Sequence, residues 1–295
     1  MAVTPMLAGP RTLRRVPEAW DPSPYRRIGV EPLTPTIGAV VTGVDLAERL
    51  DAQTFAEIRR CLLEWKVIFF RDQELESEQQ LAFARMWGDL EEHPFIPAGD
   101  TDEVARFEKN DRVGGYENVW HTDVTWRERP AMAAILRAVE VPAVGGDTLF
   151  ADMAVAYDNL PVDVKERIDG MRAEHDFMPT FGFLVSASER EHLRARYPVV
   201  EHPVVRTHPD TGRRTLFVNG VFTTRLLGLD ADESAALLEY LARQATFPEY
   251  QCRWRWRAGD IAMWDNRAVQ HYAASDYFPA RRVMERVAIV GDRPY

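Results

Sequence analysis

The chain has 295 residues, 46% of them hydrophobic and 28% charged, the balance of a globular protein long enough to bury a large core. Its formal net charge of -10 argues against tight nucleic-acid binding, which needs a concentrated positive surface, but small anions can still be met by a few buried arginines. No stretch approaches the roughly 18 uninterrupted apolar residues of a membrane span, and the N-terminus has no apolar run long enough for a secretory leader, so a cytoplasmic protein without a membrane partner is expected.

In chain order, residues 1–27 are broken by Pro5, Pro10, Pro17, Pro22 and Pro24 and read as a flexible or surface-draped arm, with a single domain over residues 28–295. Phe55, Ile58, Leu62 and Trp65 recur at helical spacing, which predicts an amphipathic helix over residues 51–65 and then a short strand over 66–70. Ser77 stands three residues before Gln80, a capping-box spacing that opens a second helix, and Gly88 is placed to end it. Strands are predicted over residues 119–125, 133–138 and, after the Gly145-Gly146 turn, 148–150. Residues 153–200 read as a partly helical insertion broken by Pro161, Pro179 and Pro198. A hairpin follows, strands 204–207 and 215–219 about Pro209-Asp210-Thr211-Gly212. Asp232 begins a helix with Ala235, Leu238, Leu241 and Ala242 along one side. Residues 251–257 alternate Cys252, Trp254 and Trp256 with Arg253, Arg255 and Arg257, a strand with unlike faces, and further strands cover 261–264 and 283–290. The order predicts a mainly β fold with a helical buttress, a two-sheet jelly roll. Cys61 and Cys252 make no disulfide framework and read as buried reduced thiols.

His121-Thr122-Asp123 lies in a strand-like run, where residues i and i+2 share a face, so an imidazole and a carboxylate can converge on one ion. His271, shortly after Trp264-Asp265-Asn266, supplies a third ligand. Two histidines and one carboxylate on one side of a metal leave the other side open, the arrangement of non-haem Fe(II) oxygenases. A zinc hydrolase can use the same three groups to activate water, and a non-enzymatic β-sandwich would not need the open side. Arg282 and Arg286 are four apart and share a face of the last strand. Two inward guanidiniums require anions, either a ligand's or the protein's own carboxylates. Trp120 reads as packing, and His175, His192, His202 and His208 as structural or surface residues.

The ordered stretches IGAVVTGVDL, WHTDVTW, GGDTLF, HPVVRTHPDTGRRTLFVN, FTTR, RWRWRAGDIAMWDNRAVQHYAASDY and RRVMER resemble the taurine dioxygenase and 2,4-dichlorophenoxyacetate dioxygenase family over residues 28–295, nearest its taurine dioxygenase branch. The resemblance implies a double-stranded β-helix, Fe(II), 2-oxoglutarate as cosubstrate, O2, and a small anionic organic substrate. By position it implies His121, Asp123 and His271 as iron ligands, and Arg282 with Thr148 as partners of the distal carboxylate of 2-oxoglutarate. His93, Arg286 and the backbone N–H of Val124 match the groups that meet the substrate's anion, and Phe181 and Phe222 match aromatic pocket walls. Ile96 and Glu117 stand where the taurine branch has a tyrosine and an asparagine facing the amine. The implied reaction is hydroxylation of a sulfonate such as taurine with release of sulfite and an aldehyde. An alkyl sulfate or an aryloxyalkanoate is the alternative within the family. Ile96 makes one wall more apolar; Glu117 either points to solvent or faces the pocket, where it would welcome an ammonium group. Asp123 argues against a halogenase, in which chloride takes the carboxylate's place. Self-association into a homo-oligomer is left open.

Overall fold

The computed structural model describes residues 11–14, 21–94, 96, 99–115, 117–184 and 186–295. Strands β1 (Gly29–Pro32) and β2 (Ala39–Thr42) form an antiparallel pair, and helix α1 (Ala52–Trp65) carries the chain over so that β3 (Val67–Phe70) runs parallel to β2. Asp51 caps α1 by accepting from the N–H groups of Gln53 and Thr54. Ile58, Leu62 and Trp65 are buried on its inner face, as their spacing predicts, with Cys61 beside them, whereas Phe55 is only half-buried, against Trp87. Buried Glu57 accepts from the N–H groups of Arg26, Arg27 and Ile28, so the chain entering β1 is fastened to the helix. Earlier in the chain, Thr12 and Asn159 exchange two hydrogen bonds of 2.9 and 2.8 Å, and the Arg11 guanidinium lies over the Phe247 ring. Residues 1–10 and 15–20 of the predicted arm lie outside the described residues.

Helix α2 (Ser77–Arg85) departs from its predicted ends. The cap is Glu76, whose N–H donates to Gln79 Oε1 at 2.8 Å, because the Ser77 hydroxyl is committed to Asp100 at 2.8 Å. The helix also stops at Arg85, with Met86 as its C-cap, before reaching Gly88. Strands β4 (Leu90–Glu91), β5 (Ala105–Lys109), β6 (Ala131–Glu140) and β7 (Thr148–Asp152) follow. The strand predicted over residues 119–125 does not form. His121 makes one isolated bridge, Val124 takes φ 44°, outside the extended region, and the Arg127 N–H closes a turn on the Val124 carbonyl at 2.9 Å.

Residues 153–200 hold α3 (Met153–Asp158), α4 (Val162–Ile168), β8 (Arg172–His175), α5 (Met178–Phe181) and α6 (Ala187–Arg196). Strand β9 (Val200–Pro203) pairs with one edge of β8, and β10 (Val205–Thr207) and β11 (Arg214–Leu216) form the predicted hairpin. Strand β12 (Thr223–Leu226) then takes the other edge of β8. Helix α7 (Ala231–Ala242) is capped by Asp230 and buries Ser234, Leu237 and Leu241. Its inner face is therefore turned from the predicted one: only Leu241 is shared, and Ala235 is exposed because the Ser234 hydroxyl faces inward to accept from the Leu226 N–H at 2.9 Å. The chain closes with β13 (Gln251–Trp254), β14 (Ile261–Asp265), β15 (Val269–Ala273) and β16 (Arg282–Val290). Both cysteines are free and buried.

The large sheet runs β1-β2-β3-β14-β6-β16-β4, with β5 also pairing β16 to make eight strands. A three-stranded sheet, β13-β7-β15, faces it, giving the jelly roll. Side-chain alternation sorts the large sheet's two faces. Ile261, Met263, Val287 and Ile289 pack under α1 and α2, whereas Ala262, Trp264 and Met284 point into the space between the sheets. There Phe69 stacks on Trp254 at 4.0 Å between ring centroids and meets Phe150 edge-on at 5.6 Å. Burying each such side chain contributes roughly 1.5–3 kcal/mol. Because β16 places even-numbered residues inward, Arg282 and Arg286 are carried into the same interior. No helix among the described residues is long and apolar enough to cross a membrane.

The turn from β14 to β15 is pinned by buried charge. Asp265 accepts from Arg267 Nε and Nη2 at 2.8 and 2.7 Å, His208 Nε2 lies 3.0 Å away, and Arg267 continues to Asp210 at 2.7 Å. Burial disfavours the Asp265 carboxylate, yet Arg267 and His208 outweigh it and hold its pKa below the usual range. Asp265→Asn is expected to cost about 3–5 kcal/mol in urea unfolding, since it removes one of the two carboxylates that buried Arg267 pairs with. A depressed carboxylate stabilises fully above its unfolded pKa of about 4, so this difference from wild type should shrink as pH falls below that value. An Asp265→Asn variant that unfolds at the wild-type midpoint at neutral pH would refute the assignment.

Candidate active site

His121 and His271 meet because their backbones pair. The His121 N–H donates to the His271 carbonyl at 3.1 Å and the His271 N–H returns to the His121 carbonyl at 2.8 Å. Directly opposed residues of an antiparallel bridge present side chains to one face, and the two imidazole centroids stand 4.2 Å apart. The turn then delivers Asp123, whose Oδ1 is 3.9 Å from His271 Nε2; one ligand atom from each of the three residues lies within 4.8 Å of the others. The Val119 carbonyl accepts from His121 Nδ1 at 2.8 Å, which leaves the Nε2 lone pair for a metal. Burial, then the nearby His121, lowers the His271 imidazole to about 3, so it is neutral and able to ligate. Burial opposes ionisation of Asp123, but Arg286 and the two imidazoles outweigh it and hold the carboxyl at about 2. Asn266 Oδ1 accepts from the Trp264 indole at 2.9 Å, while its Nδ2 lies 3.4 Å from Asp123 Oδ2. The ligand set is two imidazoles and one ionised carboxylate.

These ligands line a cavity of about 740 Å³ between the sheets, and every other site residue expected from the sequence lines it too. Arg286 Nη1 sits 2.5 Å from Asp123 Oδ1, and among the described residues its buried Nε has no hydrogen-bond partner. Arg282 is 7% exposed, and among the described residues both its Nε and Nη2 are without partners. Burial of this guanidinium pushes its pKa down, and Tyr277 and Glu117 only partly offset that. A buried, incompletely paired guanidinium is costly unless an anion meets it. Gly146 makes room for this one: at φ 73°, a Cβ there would stand 3.2 Å from Arg282 Cδ and Nε. Thr148, at the start of β7, lines the cavity, and its hydroxyl accepts from the Trp256 indole at 2.9 Å. A dicarboxylate that chelates the metal at one end and reaches Arg282 with the other fits these donors.

On the opposite side, burial and then Arg286 lower His93 to about 3, so its imidazole is neutral. Its ring meets Phe181 edge-on at 5.7 Å, and Phe181 lies 6.1 Å from Phe222. Val124 and Ile96 complete the wall. Glu117 faces the cavity, with its Oε1 2.7 Å from the Nζ of buried Lys109. Trp120 packs against Tyr272, and His175, His202 and His208 are buried in polar contacts away from the cavity. Sequence reasoning missed Lys109, Trp256 and Asn266. Asn266 and Trp256 sit in the motif that runs into His271, but their partners lie 143 and 108 positions away.

The profile described as "Taurine catabolism dioxygenase TauD, TfdA family" matches residues 29–288. An alkylsulfatase of Acinetobacter baylyi is 37% identical over 92% of this chain and 87% of its own. An alpha-ketoglutarate-dependent sulfate ester dioxygenase of Pseudomonas putida is 39% identical over 90% of this chain and 91% of its own. The crystal structure of a taurine dioxygenase from Burkholderia xenovorans superposes with a TM-score of 0.79 at 39% identity, covering 91% of this chain and 93% of that one. The full-length match sets aside the zinc-hydrolase and binding-module readings of the three ligands. The chain belongs to the TauD/TfdA family and is a 2-oxoglutarate-dependent dioxygenase that uses Fe(II) and O2.

Proposed function

We propose that the enzyme oxidises an organosulfur anion with an apolar tail, an alkyl sulfate ester first and an alkanesulfonate second, and that taurine is a poor substrate. The observation that carries this is the 2.7 Å pair between Lys109 and Glu117: the carboxylate that stands where the taurine branch meets the amine already holds a buried cation. Ile96, Phe181 and Phe222 give the same cavity an apolar wall that suits hydrocarbon. His121, Asp123 and His271 hold the iron, and Arg282 with Thr148 holds the distal carboxylate of 2-oxoglutarate. The unpartnered Nε of Arg286, neutral His93 and the Val124 N–H receive the sulfate oxygens. The full-length similarity to a sulfate ester dioxygenase and an alkylsulfatase supports the same class.

Bound iron and 2-oxoglutarate supply the activation of O2 that replaces a substrate hydrogen by hydroxyl, with succinate and CO2 as coproducts. The pocket's task is to fix the head group so that the carbon bearing it is nearest the metal. Hydroxylation there gives a product that breaks its C–O bond to sulfate and leaves an aldehyde; from a sulfonate, the C–S bond breaks and sulfite departs.

Succinate formation with decyl sulfate, decanesulfonate, 2,4-dichlorophenoxyacetate and taurine tests the proposal. Decyl sulfate should give the highest kcat/KM and taurine the lowest. Arg286→Ala should lower every anionic substrate by roughly 100-fold, the loss expected when one partner of a desolvated charge contact is removed. Glu117→Gln should leave the order unchanged. If taurine is the best substrate and loses that place in Glu117→Gln, the carboxylate serves an ammonium group and the proposal fails.

A further inference from the structure

We infer that Trp256 is a positioning residue for 2-oxoglutarate: its indole N–H fixes the Thr148 hydroxyl as a donor aimed at the distal carboxylate. The inference rests on the reading that Thr148 and Arg282 hold that carboxylate. A threonine hydroxyl has one proton and two lone pairs, and it can turn to donate or accept as its surroundings dictate. Here the Trp256 Nε1–H donates to Thr148 Oγ1 at 2.9 Å, and among the described residues no acceptor takes the Thr148 proton. One lone pair is thus filled by a group that can only donate, and the remaining proton is available on the cavity side, where Arg282 Nε and Nη2 are without partners.

The geometry follows from the sheet. Trp254 faces Thr148 in the β13–β7 register, and Trp256, two positions beyond it and past the end of β13, is buried in the same aromatic cluster, which brings its indole to Thr148. Burial alone does not produce the bond, since the equally buried Trp254 leaves its own Nε1 without a partner. Trp256 is 5% exposed and does not itself line the cavity, so it acts through Thr148. Donation into the hydroxyl oxygen also polarises its O–H and strengthens the bond it can give to an anion.

The test is calorimetric binding of 2-oxoglutarate to Mn(II)-loaded protein without turnover, in wild type, Trp256→Phe, Thr148→Val and the double variant. The comparison ligand is 2-oxobutyrate, which keeps the chelating end and lacks the second carboxylate. Thr148→Val should weaken 2-oxoglutarate by about 10-fold and Trp256→Phe by about 5-fold, the range of one hydrogen bond to an ion, with the double variant no weaker than Thr148→Val. Binding of 2-oxobutyrate should be unchanged throughout. Thr148→Ser, which keeps the hydroxyl, should bind as wild type. Wild-type affinity in Trp256→Phe, further weakening by Trp256→Phe in the Thr148→Val background, or equal loss for both ligands would overturn the role of Trp256. Wild-type affinity in Thr148→Val would instead overturn the underlying reading. Should Trp256→Phe fail to fold, the indole 15N–1H resonance that Thr148→Val alters decides the matter in Zn(II)-loaded wild type. It should move on adding 2-oxoglutarate and stay with 2-oxobutyrate, and a resonance indifferent to both sinks the inference.

Discussion

Asp123→Ala is expected to abolish substrate-dependent succinate formation and to weaken Fe(II) binding, because the carboxylate is both the anionic ligand and the counter-charge of Arg286 at 2.5 Å. Without it, two imidazoles face a dication, and a guanidinium 8% exposed loses the carboxylate it pairs with. Truncating one side of a buried pair costs about 3–5 kcal/mol, so the metal-free variant should also unfold at lower urea concentration. Asp123→Asn separates shape from charge: it keeps the outline of the side chain and should remain inactive. Asp123→Glu should fail in large part, since an added methylene displaces the oxygen beyond the roughly 0.5 Å tolerance of a preorganised site. Anaerobic Fe(II) titration, read beside urea unfolding of the metal-free protein, checks both halves. Near-wild-type turnover in the alanine variant would remove Asp123 from the metal site.

Arg282→Ala should raise the 2-oxoglutarate requirement by about two to four orders of magnitude, the equivalent of the roughly 3–5 kcal/mol lost when a buried charge loses its partner. Iron binding should survive, because Arg282 lies against Tyr277 and forms no ion pair with the one carboxylate ligand, which Arg286 takes. Arg282→Lys is the informative companion. An ammonium restores the charge as a point and not as a fork, so it should recover only part of the affinity. Titration of 2-oxoglutarate at saturating Fe(II) measures the loss, and an unchanged apparent affinity in Arg282→Ala would give the distal carboxylate to another residue.

The sequence made the inward pair Arg282 and Arg286 legible because period-2 alternation is local and β16 is regular. It named His121 and Asp123 by an argument that the fold does not use. They do not alternate along a strand; one is set by a bridge to His271 and the other by a turn through Val124 at φ 44°. The alternation argument and the turn bring together the same two side chains, so the spacing points to a pair that the structure assembles by another route. Local pattern also misplaced the α2 cap by one residue, since nothing near Ser77 announces Asp100, 23 positions away. Glu117 could not be placed without its partner: a carboxylate in a loop is as readily solvated as paired, and Lys109 becomes its neighbour only when β5 joins β16. Trp256 and Asn266 were visible as motif letters, while their tasks depend on atoms more than 100 positions distant.

The seam between the two sheets runs through the middle of the cavity. His271 and Thr148 ride on the three-stranded sheet, through β15 and β7, whereas Arg282 and Arg286 ride on β16 of the eight-stranded one. In the proposed placement, with the chelating end of the 2-oxo acid at His271 and its far end at Arg282, the thickness of the sandwich becomes a caliper for the length of the diacid. Its jaws are held by the aromatic layer of Phe69, Phe150, Trp254 and Trp264. On that placement, selectivity among 2-oxo diacids of different length is a property of core packing.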